Sequence, residues 1–189
     1  VCRDVRDWKA KGIEPVRISV NFSKVHLQNP HLAEEILAVL QKYEIPPKYI
    51  EVELTEMSGY ESYETLLNFV RAMRANGVST SIDDFGTGYS SLNLLKDLNV
   101  DIIKLDKEFF QKRLNDREKI IIANVIHLAH ELDMEVIAEG VETVKQAEFL
   151  RGMHCCMAQG FLFDRPLPHD DFEKRLSGDH VYSLEKAGA

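Results

Sequence analysis

Cysteine is scarce in this chain. There are three, at positions 2, 155 and 156, an odd number with two adjacent and no CxxC pair. That pattern argues against a disulfide framework or a zinc site and suits a reducing compartment. No apolar run is long enough to span a bilayer, and no secretory leader is recognisable. A basic excess is missing too. Lysine and arginine number 23 against 31 aspartates and glutamates, a formal charge of −8, which excludes a general binder of DNA or RNA polymers. A small anionic ligand remains compatible where bound cations supply the positive charge. Repeats, low-complexity stretches and linkers are also absent. The chain opens Val-Cys-Arg rather than on methionine, so the expectation is a cytoplasmic domain that begins inside a longer protein, with any sensor or membrane anchor upstream.

What is present describes one globular domain. The 189 residues are 44% hydrophobic and 29% charged, enough to bury a core and too apolar for disorder. Short runs rich in Val, Ile and Leu occur at Arg17–Ser23, Tyr49–Thr55, Ser79–Phe85, Val100–Asp106, Glu135–Glu139 and Met157–Phe163. Nearly continuous apolar runs are how strands of a parallel sheet covered by helices read. Helical periodicity lies between them, over Leu32–Tyr43, Tyr63–Ala75, Ile120–Leu132 and Val144–Leu150. Gly77 and the Pro46-Pro47 pair mark helix stops. Alternating strands and helices imply parallel strands with right-handed crossovers. An open nucleotide-binding sheet usually carries a glycine-rich turn after its first strand, and none occurs here. A (β/α)8 barrel instead carries functional residues at the C-terminal ends of many strands.

The strand ends fit the barrel. They bring, in order, Asn21, then Glu53 and Glu56, then Asp83 and Asp84, then Lys104 and Asp106, then Glu139 and Glu142, then Gln159. One acid after one strand reads as a helix cap or a solvated loop residue. Six strands in succession ending this way point to a shared rim. Carboxylates crowded round one mouth would repel each other unless cations sat among them, and oxygen ligands with one amide suit Mg²⁺ or Mn²⁺. Two such ions can bind a phosphate and activate a water. The stretch Asp83-Asp84-Phe-Gly86-Thr-Gly88-Tyr-Ser90-Ser91 sends two acids straight into a loop with two glycines, which permit positive φ or close backbone approach.

These residues resemble the EAL-domain family of cyclic di-GMP phosphodiesterases. The resemblance is carried by Asn21-Phe-Ser23, Glu53-Leu-Thr-Glu56, DDFGTGYSS at 83–91, Lys104-Leu-Asp106, Ala138-Glu-Gly-Val-Glu142 and Gln159-Gly160-Phe-Leu-Phe163, and it spans about Trp8 to Leu176. It implies an incomplete TIM-type barrel over residues 1–176 and a polar tail over 177–189. It further implies that Asn21, Glu53 and Asp83 bind a first Mg²⁺ or Mn²⁺. Asp83 would bridge to a second ion, completed by Asp84 and Glu139. Glu139 matches the proposed general base, Lys104 the lysine that orients the attacking water, and Asp106 the same hydrogen-bond network. Glu56 matches the acid that holds the glycine loop, and Glu142 and Gln159 match substrate-pocket positions. Cyclic di-GMP as ligand, upstream sensor or GGDEF-type domains in a bacterial signalling protein, and a homodimer follow from the same resemblance.

One departure stands out. The Glu-Ala-Leu motif that names the family, whose Glu binds metal, is absent from this sequence, and six strands are legible where a barrel has eight. Two missing strands would leave an open edge and an incomplete metal shell. The alternative to a phosphodiesterase is therefore a catalytically crippled module that binds cyclic di-GMP and passes a signal on. Among weaker features, His127 and His130 read as surface or packing histidines and Cys155-Cys156 as buried thiols. Phe85 and Tyr89 are poised either to touch a guanine or to pack in the core. The leucines at 92, 94, 95 and 98 read as one helix face turned to the core.

Overall fold

A computed structural model describes residues 1–55, 63–86, 95–109, 115–155, 157–178 and 182. Six strands form one sheet in chain order, every neighbouring pair parallel. They are β1 Ile18–Phe22, β2 Ile50–Thr55, β3 Ser79–Phe85, β4 Ile102–Leu105, β5 Glu135–Ala138 and β6 Met157–Ala158. The helices are α1 Cys2–Ala10, α2 Lys24–Leu27, α3 Leu32–Lys42, α4 Tyr63–Ala75, α5 Asp116–Glu131, α6 Val144–Gly152 and α7 His169–Ser177. The expected strand and helix runs all carry the expected element. The last strand is shorter than its apolar run, because the backbone turns at Gly160 and Phe161. Helix α7 was not read from the sequence. Of the 177–189 tail expected to fray, Ser177 ends α7 with Gly178 as its C-cap, and Tyr182 is docked: its hydroxyl donates to Asp164 and its ring meets Phe163 edge-on at 5.6 Å.

Local sequence sets the boundaries. Asn115 accepts a hydrogen bond from Glu118 N–H while the Glu118 side chain accepts from Asn115 N–H, a reciprocal cap that starts α5. Thr143 and Gln146 do the same for α6. Gly77, at φ 75°, ends α4 and turns the chain into β3.

Each strand divides its side chains between two layers. Val52, Leu54, Ile82, Ile103, Leu105, Val136 and Ala138 face the helices and are buried. They pack with Leu66, Val70 and Met73 of α4 and Ile122, Ile126 and Ala129 of α5 in one apolar core. The other layer is largely polar, with Ser19, Asn21, Glu51, Glu53, Ser81 and Lys104 beside the apolar Ile102 and Ile137.

That polar layer lines a concave wall. Arg17, just before β1, ion-pairs with Glu51 of β2 at 3.2 Å and with Glu135 at the start of β5. In a flat sheet the starts of β1 and β5 would stand about 19 Å apart, beyond the reach of one arginine. The sheet is therefore curled, as six adjoining staves of a barrel. Among the described residues the sheet has the six strands expected of an incomplete barrel, with no pairing between β1 and β6. Helices close the outside of that seam. The Trp8 indole N–H of α1 donates to Glu173 of α7 at 3.1 Å, its ring lies 5.7 Å from Phe172, and Lys11 pairs with Glu173 at 2.6 Å. Among the described residues no helix is long and apolar enough to cross a membrane.

Candidate functional site

Several of the C-terminal strand ends meet. Asn21 and Glu53 are register partners on adjacent strands, and Glu53 is in turn level with Ser81 of β3. Lys104 of β4 reaches past β3 to ion-pair with Glu53, and lies 3.2 Å from Glu139 at the end of β5. Gln159, which follows β6, donates through Nε2 to Glu139 Oε1 at 2.6 Å. Glu53, Lys104, Glu139 and Gln159 therefore form one continuous chain of contacts over four strands.

Asp83 joins this group through a break in β3. Ile82 pairs with Ile103 and Phe85 with Leu105, so the two acids between them face a single residue, Lys104. This is a β-bulge. Strict alternation would turn Asp84 toward the helices; instead Asp84 adopts φ 52° and is exposed. Gly86 follows at φ 97°, and a side chain there would run into the Phe109 ring. Phe109, in the 3-10 turn Lys107–Phe109, is thus packed on the loop that leaves Asp84.

Burial and charge perturb the site. The Asp83 carboxyl is pushed above the usual carboxylate range, first by burial and then by the neighbouring Glu53 charge, with Lys104 opposing. Its Oδ1 is buried with no hydrogen-bond partner among the described residues. Burial also raises Glu139, against the pull of Lys104 and with Asp83 adding to the rise. Burial works to lower Lys104, but the Glu53 and Glu139 carboxylates outweigh it and hold the ammonium firmly charged. Among the described residues one buried cation thus stands among three acids, which outnumber it.

A cavity of about 650 Å³ opens beside this group, lined by Glu139, Gln159, Asp106, Glu142, Phe161 and Arg165 among others. The Arg165 guanidinium lies 5.0 Å over the Phe161 ring, which is itself 56% exposed. The cavity walls are fixed by backbone packing. A Cβ on Gly160 would strike the Val141 backbone and one on Gly140 would strike Lys107. Sequence reading named Glu142 and Gln159 here but missed Phe161 and Arg165. An arginine four residues beyond an aromatic, both just after the last strand, was the available signal.

Other expected residues sit differently. The Asp106 carboxylate accepts from Glu108 N–H at 2.7 Å and so caps a turn as well as facing the cavity. Asn21 is exposed on the edge strand, level with Glu53 but bonded to none of the group. Glu56, Tyr89 and Cys156 lie outside the described residues. Phe85 is 2% exposed and packs in the core. His127 and His130 are both exposed. Cys155 is buried, its thiol directed at the Met157 carbonyl at 3.4 Å. Among the described residues no three acids, histidines or cysteines are gathered closely enough to hold an ion by themselves. The orphaned Asp83 oxygen, amid surplus negative charge, is nonetheless what an oxygen-loving cation would satisfy.

The description of the EAL domain matches residues 1–166. The chain belongs to the EAL-domain family. A relative named cyclic di-GMP phosphodiesterase NbdA, from Pseudomonas aeruginosa, is 39% identical over 176 residues, which are 93% of this chain and 22% of that protein. The crystal structure of the EAL domain of Mycobacterium smegmatis DcpA superposes with a TM-score of 0.89 at 33% identity, covering 95% of this chain and 82% of the other. A manganese and cyclic di-GMP complex of Klebsiella pneumoniae BlrP1 superposes at 0.74 with 28% identity, covering 87% and 45%. This EAL domain spans about a fifth of the length of these curated relatives that it matches. Its incomplete barrel is of the TIM type that its structural neighbours share, with six strands of the wall among the described residues.

Proposed function

We propose that this EAL domain is a divalent-metal-dependent phosphodiesterase that opens cyclic di-GMP to the linear dinucleotide, as the signal-degrading part of a larger bacterial signalling protein. The supporting observation is the buried relay Glu53–Lys104–Glu139–Gln159 beside the partnerless oxygen of Asp83. Relatives named as cyclic di-GMP phosphodiesterases, and a structural neighbour holding manganese with cyclic di-GMP, support the substrate and the ion. We take residues 1–176 as the catalytic unit, residues 177–189 as its tail, the cytoplasm as its compartment, and sensor or GGDEF-type domains as its upstream neighbours.

Two Mg²⁺ or Mn²⁺ ions held by Asn21, Glu53, Asp83, Asp84 and Glu139 would polarise the phosphoryl oxygens and lower the pKa of the attacking water. The side chains do the remainder. Lys104, fixed between Glu53 and Glu139, presents its ammonium where the nucleophilic water must stand and orients it. Glu139, with a raised proton affinity, is poised to take that water's proton as general base. Gln159 holds the Glu139 carboxylate in place by donating to Oε1. Asp106 steadies the turn that follows Lys104, Glu142 contacts the substrate in the cavity, and Glu56 anchors the loop beyond Asp84. The phosphorus–oxygen bond to one ribose breaks as the bond from water forms; the departing ribose oxygen takes a proton from solvent, leaving a phosphate monoester and a free hydroxyl at the two ends with the second diester intact.

Retention of Glu53, Asp83, Lys104 and Glu139 in one connected group favours catalysis over the binding-only alternative, which has no use for a proton acceptor and a water-orienting lysine. The test is chromatographic. Cyclic di-GMP incubated with the chain and Mn²⁺ should yield linear dinucleotide, with none formed in excess chelator. Tight binding without product would reject the enzymatic reading.

A further inference from the structure

Arg17 and Glu135 meet at the N-terminal ends of the strands, and each stands four residues before a group of the rim. Arg17 precedes β1 and leads to Asn21, while Glu135 opens β5 and leads to Glu139. Four is an even step, so each pair lies on one face of its strand. At about 3.3 Å per residue, the lower and upper members stand about 13 Å apart on both strands. The Arg17–Glu135 ion pair therefore joins, at one end, the same two strands that carry Asn21 and Glu139 at the other.

Little else holds β1 in the curl. It pairs with β2 along one edge, and among the described residues no strand pairs with its other edge. The Lys104 ammonium links β4 to β2 and β5 near the rim but makes no bond to β1. Among the described residues, Arg17 is the polar side chain that ties β1 to a strand beyond its immediate neighbour. Its surroundings fix it in place. Arg17 also pairs at 3.2 Å with Glu51 of β2, which is 2% exposed, and Ser19 of β1 donates to the other Glu51 oxygen at 3.2 Å. Burial works against the charge on Arg17, and the Glu135 and Glu51 carboxylates outweigh it. A planar guanidinium can grip two carboxylates in a fixed geometry, which an ammonium does not.

We propose that Arg17 is a positioning residue for the metal site: its bridge from Glu51 to Glu135 sets the span between β1 and β5 and so brings Asn21 towards the acids of β2, β3 and β5. The inference rests on the metal-site reading given above and extends it to a layer four residues deeper in the barrel.

Mn²⁺ titrations of the full chain, followed by electron paramagnetic resonance, test it with variants that keep every charge. Arg17→Lys preserves a cation for buried Glu51 but loses the two-carboxylate grip. Glu135→Asp shortens the bridge by a single methylene. Each is expected to raise the Mn²⁺ dissociation constant about tenfold, the lower end of what losing an outer support of a metal ligand costs. The double variant R17K/E135D should bind no more weakly than the worse single, because both changes break the same contact. Lys11→Gln breaks the ion pair with Glu173 outside the wall and should leave the constant unchanged. Binding by Arg17→Lys and Glu135→Asp equal to the parent's would overturn the positioning role and leave the metal site standing. Losses that multiply in the double variant would overturn it too, as would an equal loss in Lys11→Gln, which would reduce Arg17 to general stability. A parent chain that takes up no Mn²⁺ would instead overturn the metal-site reading itself, and this inference with it.

Discussion

Lys104 crosses behind β3 to ion-pair with Glu53, and the same ammonium lies 3.2 Å from Glu139. A single buried cation thereby ties β2 to β5 and sits below the bulge that carries Asp83 and Asp84. The side chain that ties these strands together is thus also the one proposed to orient the attacking water.

Replacing that lysine should damage both. Lys104→Met leaves two largely buried carboxylates without their counter-charge, a change that typically costs about 3–5 kcal/mol. Chemical denaturation should show this loss in chelator, with partial recovery when Mn²⁺ is added, and cyclic di-GMP turnover should vanish. Unchanged stability would show that Lys104 does not compensate these acids.

Asp83→Asn should act in the opposite sense on the ion-free protein. It removes a charge that burial and Glu53 both disfavour, so the melting temperature in chelator should stay level or rise. Stabilisation by Mn²⁺ should fall sharply. An ion at a hundred times its Kd contributes about 2.7 kcal/mol, and most of that is expected to disappear.

The pH dependence follows from the two raised carboxyls. Asp83 and Glu139 have ordinary values of 3.8 and 4.5 and are both raised by the fold. A carboxyl with a raised folded pKa adds stability that is complete below its unfolded value and is lost as pH climbs through the folded one. The ion-free domain should therefore lose stability from these groups as pH rises from about 4. Divalent ions favour the charged forms, so the Mn²⁺-induced rise in melting temperature should grow over the same window. Melting curves in chelator and in Mn²⁺ across that range would check both slopes.

Gly160→Ala should be costly although it adds one methyl group. Gly160 sits at φ 154°, and a Cβ would strike the Val141 backbone. Backbone strain of this kind costs about 1–3 kcal/mol, and relief would shift the adjoining Gln159 away from Glu139. Lower stability together with a reduced kcat is expected, whereas a fall in stability alone would separate the loop from the chemistry.

Much of this was legible from residue order. Apolar runs such as Ile50–Thr55 and Ile102–Leu105 are buried on both faces and carry polar residues towards one end, so both element type and the candidate rim could be read. The bulge could not. Alternation through Ser79–Phe85 would place Asp84 toward the helices, and only the pairing of Ile82 and Phe85 with residues two apart on β4 corrects this. The Gln159–Glu139 bond and the Arg17–Glu135 pair depend on curvature, which no local pattern encodes. Helix α7 was missed because its first turn, His169-Asp170-Asp171, reads as polar loop, and its docking rests on Trp8 from the far end of the chain. Arg165 over Phe161 escaped notice because a single cation after a strand carries no periodic signal.

The convergence of Asn21, Glu53, Asp83 and Glu139 on a cation is tested most directly by Mn²⁺ electron paramagnetic resonance on the full chain. The free-ion signal is expected to be quenched as protein is added, and Asp83→Asn should leave most of it in solution. Undiminished signal with the parent protein, or equal quenching by parent and variant, would contradict a metal site built on Asp83.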